Sequence, residues 1–274
     1  GGERSDYIYP LYGFHGEPLT ADYPKDHLHH RSLWWSWCEV RRNDKIGDLW
    51  AVCKIRAYPV KITKMEAGNE EAVLQALNVW RYDDETDPVV NETVTIRASK
   101  TTGTQGARSR TVDVDVRVEA LADGMAITGR QKVDYGGYGG MTVRLNPQVK
   151  EFSIRAVHPN PDKWRGDDLA IVQRVVDPAQ LGDAAWMALC GKYPAAGVES
   201  PGFTTVMMLE SKATPLYPNN FRYYGSTCIS LAFPGKTILP LAKGKPLDYK
   251  TRFVIREGKT TLDQEKAAWE AYQR

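Results

Sequence analysis

Apolar and polar residues alternate along much of this chain, most clearly in the segment Thr111–Val118. Val112, Val114, Val116 and Val118 occupy every second position there, and the residues between them are polar. Successive side chains of a strand point to opposite faces of its sheet. The pattern therefore predicts an antiparallel strand with one buried and one exposed face.

Further strands are expected in short segments that are bounded by Gly, Asn, Asp or Pro. Asp123-Gly124, between two such segments, is typical of a hairpin turn. Many short strands of this kind predict an all-β fold, a sandwich or a barrel. The segments are Trp50–Ala57, Val73–Tyr82, Val112–Ala122, Met125–Val133, Met141–Leu145, Glu151–Ala156, Leu169–Val176, Phe203–Glu210, Thr227–Phe233 and Asp248–Arg256.

The C-terminal residues have the clearest helical pattern. The segment Thr261–Gln264 resembles a capping box, and Leu262, Trp269 and Tyr272 share one helical face. This predicts a short terminal helix that packs on the strands. Because no long linker interrupts the chain, we expect a single domain over residues 1–274.

Charge and hydropathy exclude two classes of function. The 36 basic and 34 acidic residues leave a net charge of only +2, whereas nucleic-acid binding needs a concentrated basic excess. No run of about 20 apolar residues is present, so no membrane-spanning segment is expected.

The four cysteines lie far apart, which favours buried free thiols over a zinc or redox motif and leaves disulfides open in an oxidising compartment. The start Gly1–Arg4 has no Met and suggests that a secretory leader was removed.

Histidines are concentrated near the N-terminus, where four of the five lie between positions 15 and 30. In an extended strand, His27 and His29 would face one side and His30 the other. With Asp26 nearby, two imidazoles could bind a divalent metal. They could also transfer protons or hydrogen-bond sugar hydroxyls, or they could form a polar edge without a ligand. His15 is the fourth candidate of this group.

Tryptophans follow the histidines directly, in the run Leu33–Trp37. Indole rings stack on the C–H faces of sugars, although most tryptophans in β proteins pack in the core. Alternation places Trp34 on one face with Ser36, and Trp35 on the other with Trp37. One or two of these rings could line a pocket.

Two later segments carry further polar candidates. Arg144 follows the glycine-rich segment Tyr135–Gly140, which is no phosphate loop because a strand and not a helix comes after it. Arg144 could bind a substrate carboxylate or pair with a buried acid. Asn220, Arg222 and Tyr224 lie in a predicted polar-aromatic loop and are typical partners of polyhydroxylated ligands.

Several of these motifs together resemble the PmoA-like bacterial family. The most specific element is Asp-His-x-His-His-Arg, with Leu28 and Ser32 where the family usually has Pro and Gly. The segments that carry the resemblance are Tyr9–Tyr12, Pro24–Trp34, Trp37, Asp48–Trp50, Tyr135–Gly137 before Arg144, and Tyr217–Tyr224. The family name suggests a membrane methane monooxygenase subunit, which we reject because this chain lacks a spanning segment.

The resemblance implies a galactose-mutarotase-like β-supersandwich, found in secreted or periplasmic proteins of polysaccharide-degrading bacteria. That fold hosts enzymes and binding modules alike, so it does not select a reaction.

The leading hypothesis is a carbohydrate-active lyase or hydrolase that acts on an oligo- or polysaccharide. A non-catalytic glycan-binding protein and a metal-dependent redox protein are the alternatives. The predicted catalytic residues are His27, His29, His30 and Arg31; the predicted substrate-binding residues are His15, Trp37, Arg144, Asn220, Arg222 and Tyr224; His27 and His29 are the candidate ligands of a divalent metal.

Overall fold

The computed structural model describes residues 4, 6–132, 137–160, 164–166, 172–175, 181–198, 202–225 and 227–274. Strands dominate this part of the chain. They are β1 (Tyr7–Ile8), β2 (Leu33–Trp37), β3 (Glu39–Arg42), β4 (Lys45–Gly47), β5 (Ile55–Ala67), β6 (Glu71–Tyr82), β7 (Val90–Ser99), β8 (Ser109–Ala120), β9 (Met125–Thr128), β10 (Gly139–Arg144), β11 (Lys150–Val157), β12 (Trp164–Gly166), β13 (Val172–Val175), β14 (Trp186–Lys192), β15 (Phe203–Glu210), β16 (Asn220–Tyr224), β17 (Cys228–Ala232), β18 (Leu239–Leu241) and β19 (Leu247–Glu257); the C-terminal helix is α1 (Leu262–Tyr272).

The strands form three sheets. The large sheet has the order β13-β11-β14-β15-β19-β8-β7-β6-β5, and the site sheet has the order β1-β2-β10-β17-β16-β12. A small sheet, β18-β9-β3-β4, completes the fold. Neighbouring strands are antiparallel except for the parallel pairs β11/β13 and β12/β16. The prediction of an all-β sandwich with a short C-terminal helix is confirmed. The single domain over 1–274 stays a prediction.

The main core fills the space between the site sheet and the large sheet. Met141 and Leu231 contribute to it from the site sheet, and Val116 and Phe253 from the large sheet. These side chains are almost fully buried, as expected for two sheets that pack face to face. A second apolar cluster, which includes Trp186 and Trp269, joins α1 to the outer face of the large sheet.

The site sheet has two chemically different faces, because its side chains alternate. On its core face, Trp35 aligns with Met141 across the strands and donates a hydrogen bond from its Nε1 to buried Glu92 (3.2 Å). The opposite face, here called the polar face, carries three cross-strand rows. They are Trp34–Thr142–Ser230–Arg222, Ser36–Gly140–Ala232–Asn220, and Arg144–Cys228–Tyr224.

Helix α1 begins as its sequence predicts. The Thr261 hydroxyl accepts a hydrogen bond from the Gln264 backbone N–H, and the Gln264 side chain accepts one from the Thr261 N–H. This capping box satisfies two backbone donors that would otherwise be unpaired. Glu265 is buried and binds the Arg155 guanidinium at 2.5 Å, which ties the helix to β11.

Three local predictions were wrong. The strand predicted to begin at Trp50 begins only at Ile55, because residues 50–54 form a tight loop. Asp123-Gly124 does not close a hairpin, because β8 pairs with β7 and β19 while β9 pairs with β3 and β18; the turn instead carries the chain from the large sheet to the small one. The predicted loop around Asn220 is in fact strand β16. Of the predicted strand Leu169–Val176 and the segment Tyr135–Gly140, residues 169–171, 176 and 135–136 lie outside the described residues.

Cys38 and Cys228 are buried, Cys190 is half-buried and Cys53 is exposed. All four are free thiols, so no disulfide links the described strands. In the described ranges, no helix has both the length and the apolar character needed to cross a bilayer.

Candidate functional site

Three histidines are brought together by a closed loop before β2. Asp22 and Arg31 form a bridge at the base of the loop. Inside the loop, the His27 N–H donates to the Pro24 carbonyl (3.1 Å) and the His30 N–H donates to the His27 carbonyl (2.9 Å). These bonds form two successive turns. The prediction of an extended strand was therefore wrong, and His30 lies with His27 and not opposite it.

His27, His29 and His30 form what we call the histidine cluster. The rings of His27 and His30 are stacked, with centroids 4.5 Å apart and planes 11° apart. The His29 ring meets the His30 ring edge-on at 4.7 Å. His27 is exposed, His29 is half-buried and His30 is only 5% exposed. The cluster thus runs from solvent into the protein.

Two of these imidazoles are neutral at neutral pH. Burial lowers the pKa of His29 to about 4, and the nearby charges of His27 and Arg4 act in the same direction. Burial also lowers the pKa of His30 to about 2, again with help from neighbouring histidines. A neutral imidazole has one lone pair that can accept a proton or a hydrogen bond.

An ion pair between buried Arg144 and exposed Asp26 lies beside the cluster. The Arg144 Nη2 is 2.9 and 2.7 Å from the two carboxylate oxygens of Asp26, and the Arg144 side chain is almost completely buried. Asp26 also lies 3.1 Å from the His27 Nδ1, and the Arg144 Nη1 lies 3.5 Å from the His30 Nδ1. Burial acts to raise the pKa of Asp26, but hydrogen bonds from Arg144 and His27 outweigh it and hold this pKa below its ordinary value.

A row of aromatic rings continues from the cluster across the polar face. The His30 ring is 5.2 Å from the Trp34 ring, which is 5.2 Å from Trp50. Trp50 in turn contacts Tyr138 at 5.3 Å, and Tyr138 contacts Tyr224 at 5.7 Å. These edge and tilted contacts are the preferred geometries of aromatic pairs. Trp34 and Trp50 are buried, whereas Tyr138 and Tyr224 are half-buried. The tyrosine end of the row is therefore the part that a ligand can reach.

Trp50 reaches this row because a tight loop presents it. The backbone N–H groups of Leu49 and Trp50 both donate to the Trp37 carbonyl, at 3.1 and 3.3 Å. Asp48 and Cys53 close the loop with two reciprocal backbone bonds of 2.8 Å. The Asp48 carboxylate also binds the Arg130 guanidinium at 2.6 Å. The loop is thus fixed at both its backbone and its side chains.

Several polar atoms on the polar face are buried without a hydrogen-bond partner among the described residues. They are the Trp34 Nε1, the Ser36 Oγ, the Arg144 Nε and the Asn220 Oδ1. An unpaired buried polar group costs about 1–3 kcal/mol. Their concentration on one face of one sheet is typical of a site that binds a polar molecule.

Of the predicted substrate-binding residues, four lie on the polar face: Arg144, Asn220, Arg222 and Tyr224. Trp37 does not. Its ring is fully buried on the core face and packs at 5.2 Å against Trp80. The ligand-binding role predicted for Trp37 is corrected, because alternation puts Trp34 and not Trp37 beside the histidines.

Arg31 is held in a structural contact. Its Nε donates to the Asp22 carboxylate at 2.5 Å, and its Nη2 also binds the Tyr7 hydroxyl. The guanidinium lies over the rings of Tyr7 and Tyr23, at 4.1 and 3.8 Å from their centroids. Because these partners occupy the guanidinium, Arg31 closes the histidine loop and does not face the cluster.

His15 has different neighbours. Its Nε2 lies 2.8 Å from a Glu257 carboxylate oxygen and 3.2 Å from the Arg108 guanidinium. Glu257 is the last residue of β19, and Arg108 directly precedes β8, both in the large sheet. The structure therefore does not join His15 to the histidine cluster.

The geometry does not fit the predicted metal site of His27 and His29. The rings of His27 and His30 are stacked, so their in-plane lone pairs lie in two nearly parallel planes, and His29 meets both rings edge-on. A metal ion needs lone pairs that converge on one point. Among the described residues, no group of three or more His, Cys, Asp or Glu side chains is arranged to hold an ion.

Sequence reasoning missed three residues of the site: Trp50, Tyr138 and Arg130. Trp50 entered the sequence analysis only in a predicted strand and in the segment Asp48–Trp50 of the family resemblance, and Tyr138 as part of a glycine-rich segment. The Arg130 Nε donates to the Tyr138 hydroxyl at 3.1 Å, which orients that hydroxyl. No local sequence pattern indicates the places of these residues, because the aromatic row is formed by residues that lie far apart in the chain.

One family profile matches the chain, over residues 2–270, and its description is "Family of unknown function (DUF6807)". No curated protein matches the chain. No solved structure matches it either.

Proposed function

The chain belongs to the DUF6807 family, whose function is unknown, and we propose that it is a carbohydrate-active protein, a lyase or hydrolase that uses the histidine cluster for proton transfer. One observation carries the proposal. Two imidazoles that are neutral at neutral pH lie at one end of an aromatic row, next to a buried arginine. Such a combination suits a ligand with both apolar ring faces and many polar groups.

In this proposal His29 is the proton acceptor. It is the half-buried member of the cluster, so a ligand can reach it, and its lowered pKa keeps it unprotonated. His30 lies behind it, between His29 and the Trp34 ring. A positioned base of this type contributes about 100- to 10,000-fold to a rate.

Tyr138 is the matching proton donor. Burial raises the pKa of its hydroxyl, which therefore stays protonated. The Arg130 Nε donates a hydrogen bond to the hydroxyl oxygen at 3.1 Å, which fixes the position of this group. In a lyase, the proton would leave the sugar carbon for His29, and the departing glycosidic oxygen would receive a proton from Tyr138. In a hydrolase, His29 would take a proton from water while the water oxygen bonds to the anomeric carbon. The glycosidic bond would break, and Tyr138 would give its proton to the departing oxygen.

The proposed partner is an oligo- or polysaccharide, and the proposed setting is the periplasm or the extracellular medium. The aromatic row supports the saccharide partner. The resemblance of the Asp26–Arg31 motif to the PmoA-like bacterial family supports both the partner and the compartment. The described residues contain no membrane-crossing helix, which is compatible with either compartment.

The test is a screen of polysaccharides for new reducing ends and for the ultraviolet absorbance of unsaturated products. We expect turnover of at least one glycan by the wild-type protein. His29→Gln should lower that turnover at least about 100-fold, because the base is lost. His15→Gln is the matched control, since it removes an imidazole that contacts Glu257 outside the cluster, and it should keep wild-type turnover.

Turnover that survives in His29→Gln would contradict the assignment of the base. A non-catalytic glycan-binding protein is the second candidate, favoured by the half-buried Tyr138–Tyr224 pair, which could hold a sugar without any proton transfer. In that case no glycan is turned over, while Tyr138→Ala weakens glycan binding and His29→Gln does not.

A further inference from the structure

An open cleft of about 500 Å³ lies at the Asn220 end of the polar face. It is lined by Leu216, Asn219, Asn220, Pro234, Lys236 and Thr237. This volume is in the range of sites that bind small molecules or single units of a polymer. Neither the histidine cluster nor the aromatic row lines it.

Both walls of the cleft are held in place. On one side, the Asn219 N–H and side-chain amide donate to the buried Glu210 carboxylate at 2.9 and 2.5 Å. On the other side, the Gly235 carbonyl accepts a bond from Gly129 (2.8 Å), and the Lys236 carbonyl accepts one from the Gln131 side chain (3.0 Å). The cleft is therefore preformed, which lowers the entropic cost of binding.

Strand β16 runs from the cleft to the aromatic row of the proposed active site. Asn220 lines the cleft and also stands on the polar face, in the same strand as Arg222 and Tyr224. Tyr224, at the other end of β16, contacts Tyr138 in the aromatic row. The strand spans about 13 Å between Asn220 and Tyr224, from the rise of a strand, which is longer than one pyranose ring.

The lining has a defined chemistry. The Asn220 Oδ1 is buried and accepts no hydrogen bond from any described residue, so it can accept one from a hydroxyl. Lys236 is exposed at the rim, and its ammonium group forms no ion pair with a described residue. Lys236 is also the one charged residue of the six that line the cleft. Leu216, 49% exposed, adds an apolar surface.

We propose that this cleft is a second glycan subsite, which binds an acidic unit of the same oligosaccharide whose neighbouring portion lies at the histidine cluster. The inference rests on the proposed function and adds the substrate class: an oligosaccharide of more than one unit that carries carboxylate groups. Lys236 pairs with the acidic group, and Asn220 accepts a hydrogen bond from a sugar hydroxyl.

The test measures binding by calorimetry with oligouronides of one to four units from three backbones: galacturonate, guluronate and glucuronate. Carboxyl-reduced versions of each are the neutral counterparts. We expect the longer acidic chains to bind about tenfold tighter than the single units, which corresponds to about 1.4 kcal/mol. Lys236→Ala should weaken the longer acidic chains about fivefold and leave their neutral counterparts unchanged, and Lys236→Glu should weaken them further.

Lys243→Ala is the matched control, because it removes the same charge from an exposed lysine that does not line the cleft. It should bind every probe as the wild type does. If acidic glycans bind but neither length nor Lys236 changes their affinity, the subsite is wrong and the proposed function stands. If no acidic glycan of the series binds the wild-type protein, the subsite is overturned, whereas the proposed function is decided by the polysaccharide turnover screen.

Discussion

Replacing Glu210 by glutamine should remove a pH dependence from the stability of this protein. Glu210 is fully buried at the end of β15, and its carboxylate accepts two hydrogen bonds from Asn219. Burial raises the pKa of Glu210 to about 7, although the bonds from Asn219 act against this rise. The folded protein therefore holds a proton on Glu210 at a pH where the unfolded chain has released it.

The direction and size of the effect follow from proton linkage. A carboxyl group whose pKa is higher in the folded state stabilises that state below the unfolded pKa and loses the contribution as pH rises through the folded pKa. Each tenfold change in the acid constant corresponds to about 1.4 kcal/mol. The rise from the ordinary value of 4.5 to about 7 thus corresponds to about 3 kcal/mol.

The assay is urea unfolding of the wild type and of Glu210→Gln at a series of values from about pH 4 to about pH 8. The altered contacts of the introduced glutamine with Asn219 change the free energy of unfolding of the variant by the same amount at every pH. The informative quantity is therefore the difference between the two proteins in how the free energy of unfolding changes with pH. The wild type should lose about 3 kcal/mol more than the variant across this window. Parallel pH curves for the two proteins would refute the raised pKa.

Three further predictions concern the helix cap, the histidine loop and the proposed base. Thr261→Ala should lower the free energy of unfolding by about 1 kcal/mol in thermal melts, and an unchanged melt would mean that the cap is dispensable. Arg31→Lys should lower the free energy of unfolding by about 2 kcal/mol, since lysine cannot replace the forked contact with Asp22. A loss of turnover without a loss of stability would instead support the predicted catalytic role of Arg31. In the pH profile of kcat/KM, activity should fall as pH drops through about 4, where His29 gains a proton, and a midpoint near the ordinary histidine pKa would contradict its burial.

The period-two pattern predicted the fold well because burial on one face of a sheet imposes it directly. It also placed Trp34 and Trp35 on opposite faces correctly. The same rule placed Trp37 on the core side with Trp35, but Trp37 was nevertheless predicted to bind substrate. The segment Asn220–Tyr224 alternates polar and aromatic residues in the same way. Its strand could therefore have been predicted, had its Asn and Pro neighbours not favoured a loop.

The shape of the site was less predictable. The histidine motif identifies the residues of the site, but it does not predict the two turns between Pro24 and His30. Those turns depend on backbone hydrogen bonds that any residue can form. The partner of Arg144 is Asp26, 118 positions away, and nothing local to either residue indicates the pair. Contacts of this kind come from the order of strands in the site sheet, which period-two patterns do not encode.

Strand β2 serves the core and the candidate site with alternate residues, since Trp34 faces His30 while Trp35 binds Glu92. A single-residue insertion or deletion within β2 would exchange these two faces along the rest of the strand. During evolution, therefore, the length of this strand can change only in steps of two or by bulges. The neighbouring histidine loop has no such constraint, and specificity can diverge there while the sandwich stays the same.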